Sequence, residues 1–106
     1  RTITNAIIDQ AIHVDGMSGE EMMQMLTQTA FQEEREAAGK WRRAQLSFTQ
    51  LSTYFVGFQE HLETRAAAQQ RQGAAFNLKA YHDGVLAFGS PPGRFARQLL
   101  LDEPIQ

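Results

Sequence analysis

A chain of 106 residues falls in the size range of one small domain, and one compact unit is expected. Ten Lys and Arg against twelve Asp and Glu leave a net charge of −2, so no whole-chain field draws the segment to a nucleic-acid backbone or an anionic membrane. The absence of cysteine excludes disulfides, thiolate metal sites and thiol nucleophiles, and no apolar run approaches the roughly 18 to 20 residues that cross a bilayer.

The chain opens on Arg1 with no basic stretch leading into an apolar run, and an amphipathic pattern is already under way at Ile3, which reads as a segment of something longer. Ile3, Ile7, Ile8, Ala11, Ile12 and Val14 share one half of a helix, with Asn5, Asp9 and His13 opposite. Gly16 stops this helix. Ser18 and Glu21 have the spacing of a capping box that starts a short helix through Met22, Met23, Met25 and Leu26. Thr29 and Gln32 repeat that spacing and predict a helix from Phe31 to about Leu46, with Ala37, Trp41 and Ala44 on its buried edge. Ser47, Phe48 and Thr49 predict a break, the alternative being one helix through residues 31–72.

The next helix carries the stripe Leu51, Tyr54, Phe55, Phe58 and Leu62 and reads as a core helix, with Gly57 where another backbone could approach. It turns polar and ends at Gly73. Asn77 caps a helix from Leu78 to Phe88, Gly89 stops it, and Ser90-Pro91 supplies a cap and first-turn proline for a last helix ending at about Leu101. Strand-like alternation and internal repeats are both absent, so the expected fold is all-α, about six helices in a bundle.

Asp9 and His13 are four apart, a spacing at which a carboxylate can orient an imidazole; the plainer reading is a solvated helix pair. No His-x-x-x-His spacing accompanies them, and His61 and His82 stand alone, so no metal ligands are expected in the segment. His82 and Asp83 are adjacent on a helix and point apart. Lys40, Trp41, Arg42 and Arg43 make a basic turn beside an aromatic, but one turn on an acidic chain reads as a solvated face rather than a nucleic-acid site. Met17, Met22, Met23 and Met25 read as core filler. Neither a glycine-rich phosphate loop nor a Gly-x-Ser-x-Gly elbow is present.

Four stretches, in order, resemble the C-terminal region of the bacterial domain-of-unknown-function family 885, whose long helical members resemble gluzincin zinc metallopeptidases. Asp9-Gln10-Ala11-Ile12-His13 resembles the family's Asp-Thr-Gly-Leu/Ile-His element. Gln50-Leu51-Ser52-Thr53-Tyr54-Phe55-Val56-Gly57 resembles its Gln-Ala-Leu-Ser-Tyr-Lys-Ile-Gly helix, keeping Gln50, Tyr54 and Gly57. Phe76-Asn77-Leu78-Lys79-Ala80-Tyr81-His82-Asp83, with Gly89-Ser90-Pro91 after it, is similar to the closing Phe-Asp-Leu-Lys-Ala-Phe-His-Asp and Gly-Ser-x-Pro signature. Arg43 matches the arginine of the family's Arg-Tyr pair, whereas Ala44 stands for the tyrosine, Phe48-Thr49 for a Pro-Gly and Phe55 for a lysine.

The resemblance implies that residues 1–106 are the C-terminal helical segment of a longer metallopeptidase-like protein and line its active-site cleft. Zinc would be held upstream by a His-Glu-x-x-His motif that nothing here matches, so the segment is expected to hold no cofactor and to be inactive alone. Tyr54 and His13 are the expected catalytic donors to an oxyanion, Asp9 the residue orienting His13, and Gln50 and Arg43 the contacts to a peptide substrate. Against this, Tyr54 on an apolar stripe also reads as a core tyrosine. Expected partners are the remainder of the longer protein, the peptide substrate and, from the width of the apolar faces around Ile3, Ile7, Ile12, Leu51, Phe55 and Phe58, a second copy in a homodimer. The compartment, bacterial cytoplasm or periplasm, stays open. The rival class is a non-enzymatic helical interaction module using the Met-rich hairpin or the Trp41 region.

Overall fold

A computed structural model describes residues 1–104, and among them every regular element is helical. In chain order these are α1 (Thr2–Gln10), α2 (Gly19–Gln24), α3 (Glu34–Leu46), α4 (Thr53–Gln72), α5 (Leu78–Ala87) and α6 (Gly93–Leu101). The helices α1 and α2 each run on into a π turn, Ala11–Asp15 and Met25–Thr29, and one 3-10 turn, Gly73–Ala75, follows α4. The all-α expectation is thus met, with residues 31–72 forming two helices rather than one. Two compact units divide the chain, Arg1–Val56 and Gly57 onward, with α4 beginning in the first and continuing in the second.

In the first unit the end of the α1 stretch and the start of α2 follow local chemistry. Ser18 and Glu21 close a full capping box, each side chain bonding the other's backbone N–H, and hydrogen bonding from Ser18 holds the Glu21 carboxyl below its ordinary pKa. Gly16 ends the first π turn at φ 75°, where a side chain would be strained. The core joins Ile8, Met22, Leu26, Ala37, Ala44 and Leu51, with Trp41 and the remaining methionines packed against it. The methionines therefore fill the core. Trp41 lies over Gly19, where an added Cβ would come within 3.0 Å of the indole.

The second unit is smaller in its core. Ala68 of α4, Tyr81 of α5 and Leu101 of α6 are buried together, with Phe76, Val85 and Leu100 against them. Asn77 caps α5 by accepting from the Ala80 N–H at 2.9 Å, and Gly89 stops the chain at φ 76°. Arg71 and Arg97 both pair with Glu103, and Arg71 also donates to the Leu101 carbonyl at 2.6 Å, which ties the end of α6 to α4.

Several expectations are corrected. The helix predicted from Phe31 begins at Glu34 with Glu33 as its cap, because Phe31 is left-handed at φ 53° and Gln32 bonds the buried Lys40 instead of capping. The last helix starts at Gly93 behind Pro92 rather than at Ser90-Pro91. Gly57 meets no neighbouring backbone; the close approach occurs at Gly93, where an added Cβ would lie 2.9 Å from the Glu60 Cβ. The stripe from Leu51 to Leu62 is not a fully buried face: Leu51 is enclosed, but Tyr54 and Phe58 are 61% and 57% exposed.

Candidate functional site

The site is built around the corner that joins α3 to α4, residues 47–52. Helix α1 brings Asp9 to this corner from far upstream. Its Oδ2 accepts from the Ser52 backbone N–H at 3.0 Å and from the Ser52 hydroxyl at 2.7 Å. A carboxylate in that position does from another helix what an N-cap does locally, and it sits where the α4 dipole favours negative charge. Asp9 is accordingly buried, although a uniform helical wheel sets it on the polar face.

His13 is one turn further on. The π turn adds a residue to the helical repeat there and swings the ring toward the end of α3. Its Nε2 lies 3.0 Å from both the Ala44 and the Ser47 carbonyl oxygens. Two acceptors on one nitrogen assign the proton to Nε2, which donates to carbonyls that the end of α3 leaves without partners. Asp9 Oδ1 is 3.8 Å from that nitrogen, within ion-pair reach but beyond hydrogen-bond length. The Phe48 ring meets the imidazole edge-on at 5.0 Å between centroids.

Between these two anchors the backbone is strained. Thr49 has φ 65°, an outlier for a β-branched residue. Gln50 follows it, exposed, and its carbonyl accepts from the Thr53 hydroxyl at 2.6 Å. Tyr54 stands on the first turn of α4, two residues beyond Ser52, and its hydroxyl makes no hydrogen bond among the described residues. Arg43 is exposed on the last turn of α3, where its carbonyl accepts from the Ser47 hydroxyl at 3.0 Å. Asp9, His13, Gln50 and Tyr54 are thus brought to one corner of the first unit, with Arg43 one turn before it.

Ser52, Ser47 and Thr49 were absent from the sequence-derived set. Ser52 carried a weak signal, a hydroxyl residue just before a helix; nothing in the sequence marks Thr49 as left-handed. No group of three or more His, Asp or Glu among the described residues is arranged to hold a metal ion. Lys40 is the one cation buried in this unit among the described residues, bonded to Gln32, and burial pushes its pKa below the usual lysine value.

Comparison with known proteins gives the chain its family. The model of a bacterial family of unknown function, DUF885, matches residues 1–100. The solved structure of a candidate lipoprotein of unknown function from Shewanella oneidensis is similar at 44% identity and a TM-score of 0.90, over 95% of this chain and 18% of that one. This chain therefore spans less than a fifth of that relative's length. No curated protein matches. A family match over nearly the whole chain, joined to a close structural likeness, makes this chain a member of the DUF885 family of bacterial proteins.

Proposed function

We propose that this segment is a helical wall of a peptidase-like active-site cleft in a longer protein, with the Tyr54 hydroxyl donating to the oxyanion of acyl transfer and Gln50 and Arg43 contacting the peptide. The observation that carries this reading is the state of Tyr54: it is 61% exposed and its hydroxyl has no protein partner among the described residues, on a turn that Asp9 anchors through Ser52. A tyrosine on an apolar stripe ordinarily packs inward with its hydroxyl satisfied. One that faces outward on a fixed helix start is a donor with no protein acceptor among the described residues. Preorganised donors of this kind are effective because they need no rearrangement as charge develops.

In this proposal Asp9 and His13 act as positioning residues. Asp9 fixes the start of α4 and His13 the end of α3, so the strained stretch between them presents Gln50 and Tyr54 from two tied ends. The described residues do not themselves fit a metal ion, so the metal-activated water of a zinc peptidase would be supplied by the remainder of the longer protein. The rival reading as an interaction module loses one of its two surfaces, since Met22 is fully buried and the other methionines pack on the core.

The test is hydrolysis of a mixture of unstructured peptides by the full-length protein, before and after chelation. Cleavage that stops on chelation and returns with zinc is the expected result; intact peptides throughout would remove the peptidase reading.

A further inference from the structure

The second unit contains a groove that the corner site does not use. Helix α4 contributes His61 and Arg65 to it, four apart on one face, and α5 contributes Tyr81 and His82. All four are hydrogen-bond donors or can become so, and no Asp or Glu lines the groove. None has a hydrogen-bond or ion-pair partner among the described residues. Tyr81 is only 8% exposed as a residue, its ring being held in the core of the second unit, so its hydroxyl is a fixed donor that opens onto the groove with no protein acceptor among the described residues.

The donor-lined, acid-free wall favours an anionic occupant. Burial pushes the Tyr81 pKa up, with the Arg65 guanidinium on the same groove opposing that shift, so the phenol is a donor at neutral pH. The His82 ring lies 5.6 Å from the Tyr81 ring, which keeps a third donor beside the pair. The rest of the wall is apolar: Leu62 and Val85 on the inside, with Phe58 and Leu86 at 57% and 73% exposure. The volume is about 360 Å³, near the lower end of small-ligand sites and suited to one apolar side chain with a charged head.

We propose that the groove between α4 and α5 binds a carboxylate carried on an apolar group of about one side chain's size, with Arg65 and Tyr81 taking the carboxylate oxygens and the aliphatic and Phe58 surfaces taking the apolar part. The C-terminal residue of a peptide and a short fatty acid share this chemistry. The proposal uses only residues of the second unit and stands whether or not the corner site is a peptidase.

The experiment is titration calorimetry on the full-length protein with N-acetyl-phenylalanine, N-acetyl-phenylalaninamide and hexanoate. N-acetyl-phenylalanine should bind about tenfold or more tightly than its amide, and Arg65→Gln and Tyr81→Phe should each weaken the acid about tenfold while leaving the amide unchanged. A preference for N-acetyl-phenylalanine over hexanoate assigns the groove to peptide termini, and equal binding of both acids assigns it to apolar carboxylates in general. Equal binding of acid and amide, acid binding that ignores both variants, or no acid binding because another part of the polypeptide fills the groove would each overturn it.

Discussion

Lys40 and Gln32 show how much one residue's surroundings decide. Lys40 is 6% exposed and the partner of its ammonium is a neutral amide, whose own nitrogen is buried without an acceptor among the described residues. Burial holds the Lys40 pKa down, so charging it costs the folded state free energy at neutral pH. Lys40→Met removes that cost but leaves the Gln32 side chain wholly unpartnered, a penalty of about 1–3 kcal/mol. Replacing both, Lys40→Met with Gln32→Leu, is expected to be neutral or stabilising relative to the wild type. Urea unfolding of the two singles and the double gives the cycle: strong coupling between the sites is predicted, and strictly additive effects would show that the pair is not a unit. None of this was legible in the sequence, where Gln32 reads as half of a capping box with Thr29 and Lys40 as part of a solvated basic turn.

At the scale of elements, the helix ends set by neighbours in sequence were readable and those set by distant partners were not. The Ser18–Glu21 box, the Asn77 cap and the stops at Gly16 and Gly89 all use groups within a few residues, so their spacing carries the information. The start of α4 depends on Asp9, 43 residues upstream of Ser52, and no local pattern encodes that. Asp9→Ala should cost about 0.5–2 kcal/mol, the usual value of a lost cap, and speed amide exchange at Thr53 to Val56. Asp9→Asn, which keeps an acceptor, should lose less. Unaltered exchange in Asp9→Ala would mean that the corner is held by other contacts.

The end of α6 makes a pH-dependent counterpart. The Arg97 hydrogen bond, with Arg71 adding to it, holds the Glu103 carboxyl below its ordinary pKa. The unfolded chain therefore binds this proton more readily than the folded one, so the clamp stabilises fully above the ordinary carboxylate value of about 4.3 and loses its contribution as pH falls through the lowered folded value. Glu103→Gln should lower the melting temperature at pH 7, and the difference from wild type should shrink on acidification through that window. A difference independent of pH would contradict the assignment to charge.

For the molecule as a whole, amphipathic periodicity gave the all-helical class but could not say what covers each apolar face. Leu51 is enclosed, whereas Ile3, Ile7, Tyr54 and Phe58, from the same predicted faces, stay exposed. A sequence pattern reports that a face is apolar and is silent on its partner. With the chain matching 18% of its relative's length, we propose that the remainder of a longer protein, or a second copy, packs on these faces. The account's central proposal is narrower: the Tyr54 hydroxyl, held at the start of α4, donates to the oxyanion. The direct measurement is kcat of full-length Tyr54→Phe on a cleaved peptide, with the melting temperature as control. A fall of about 10²- to 10³-fold at unchanged melting temperature is predicted, the loss expected for one oxyanion donor; unchanged kcat in a folded variant would contradict the account.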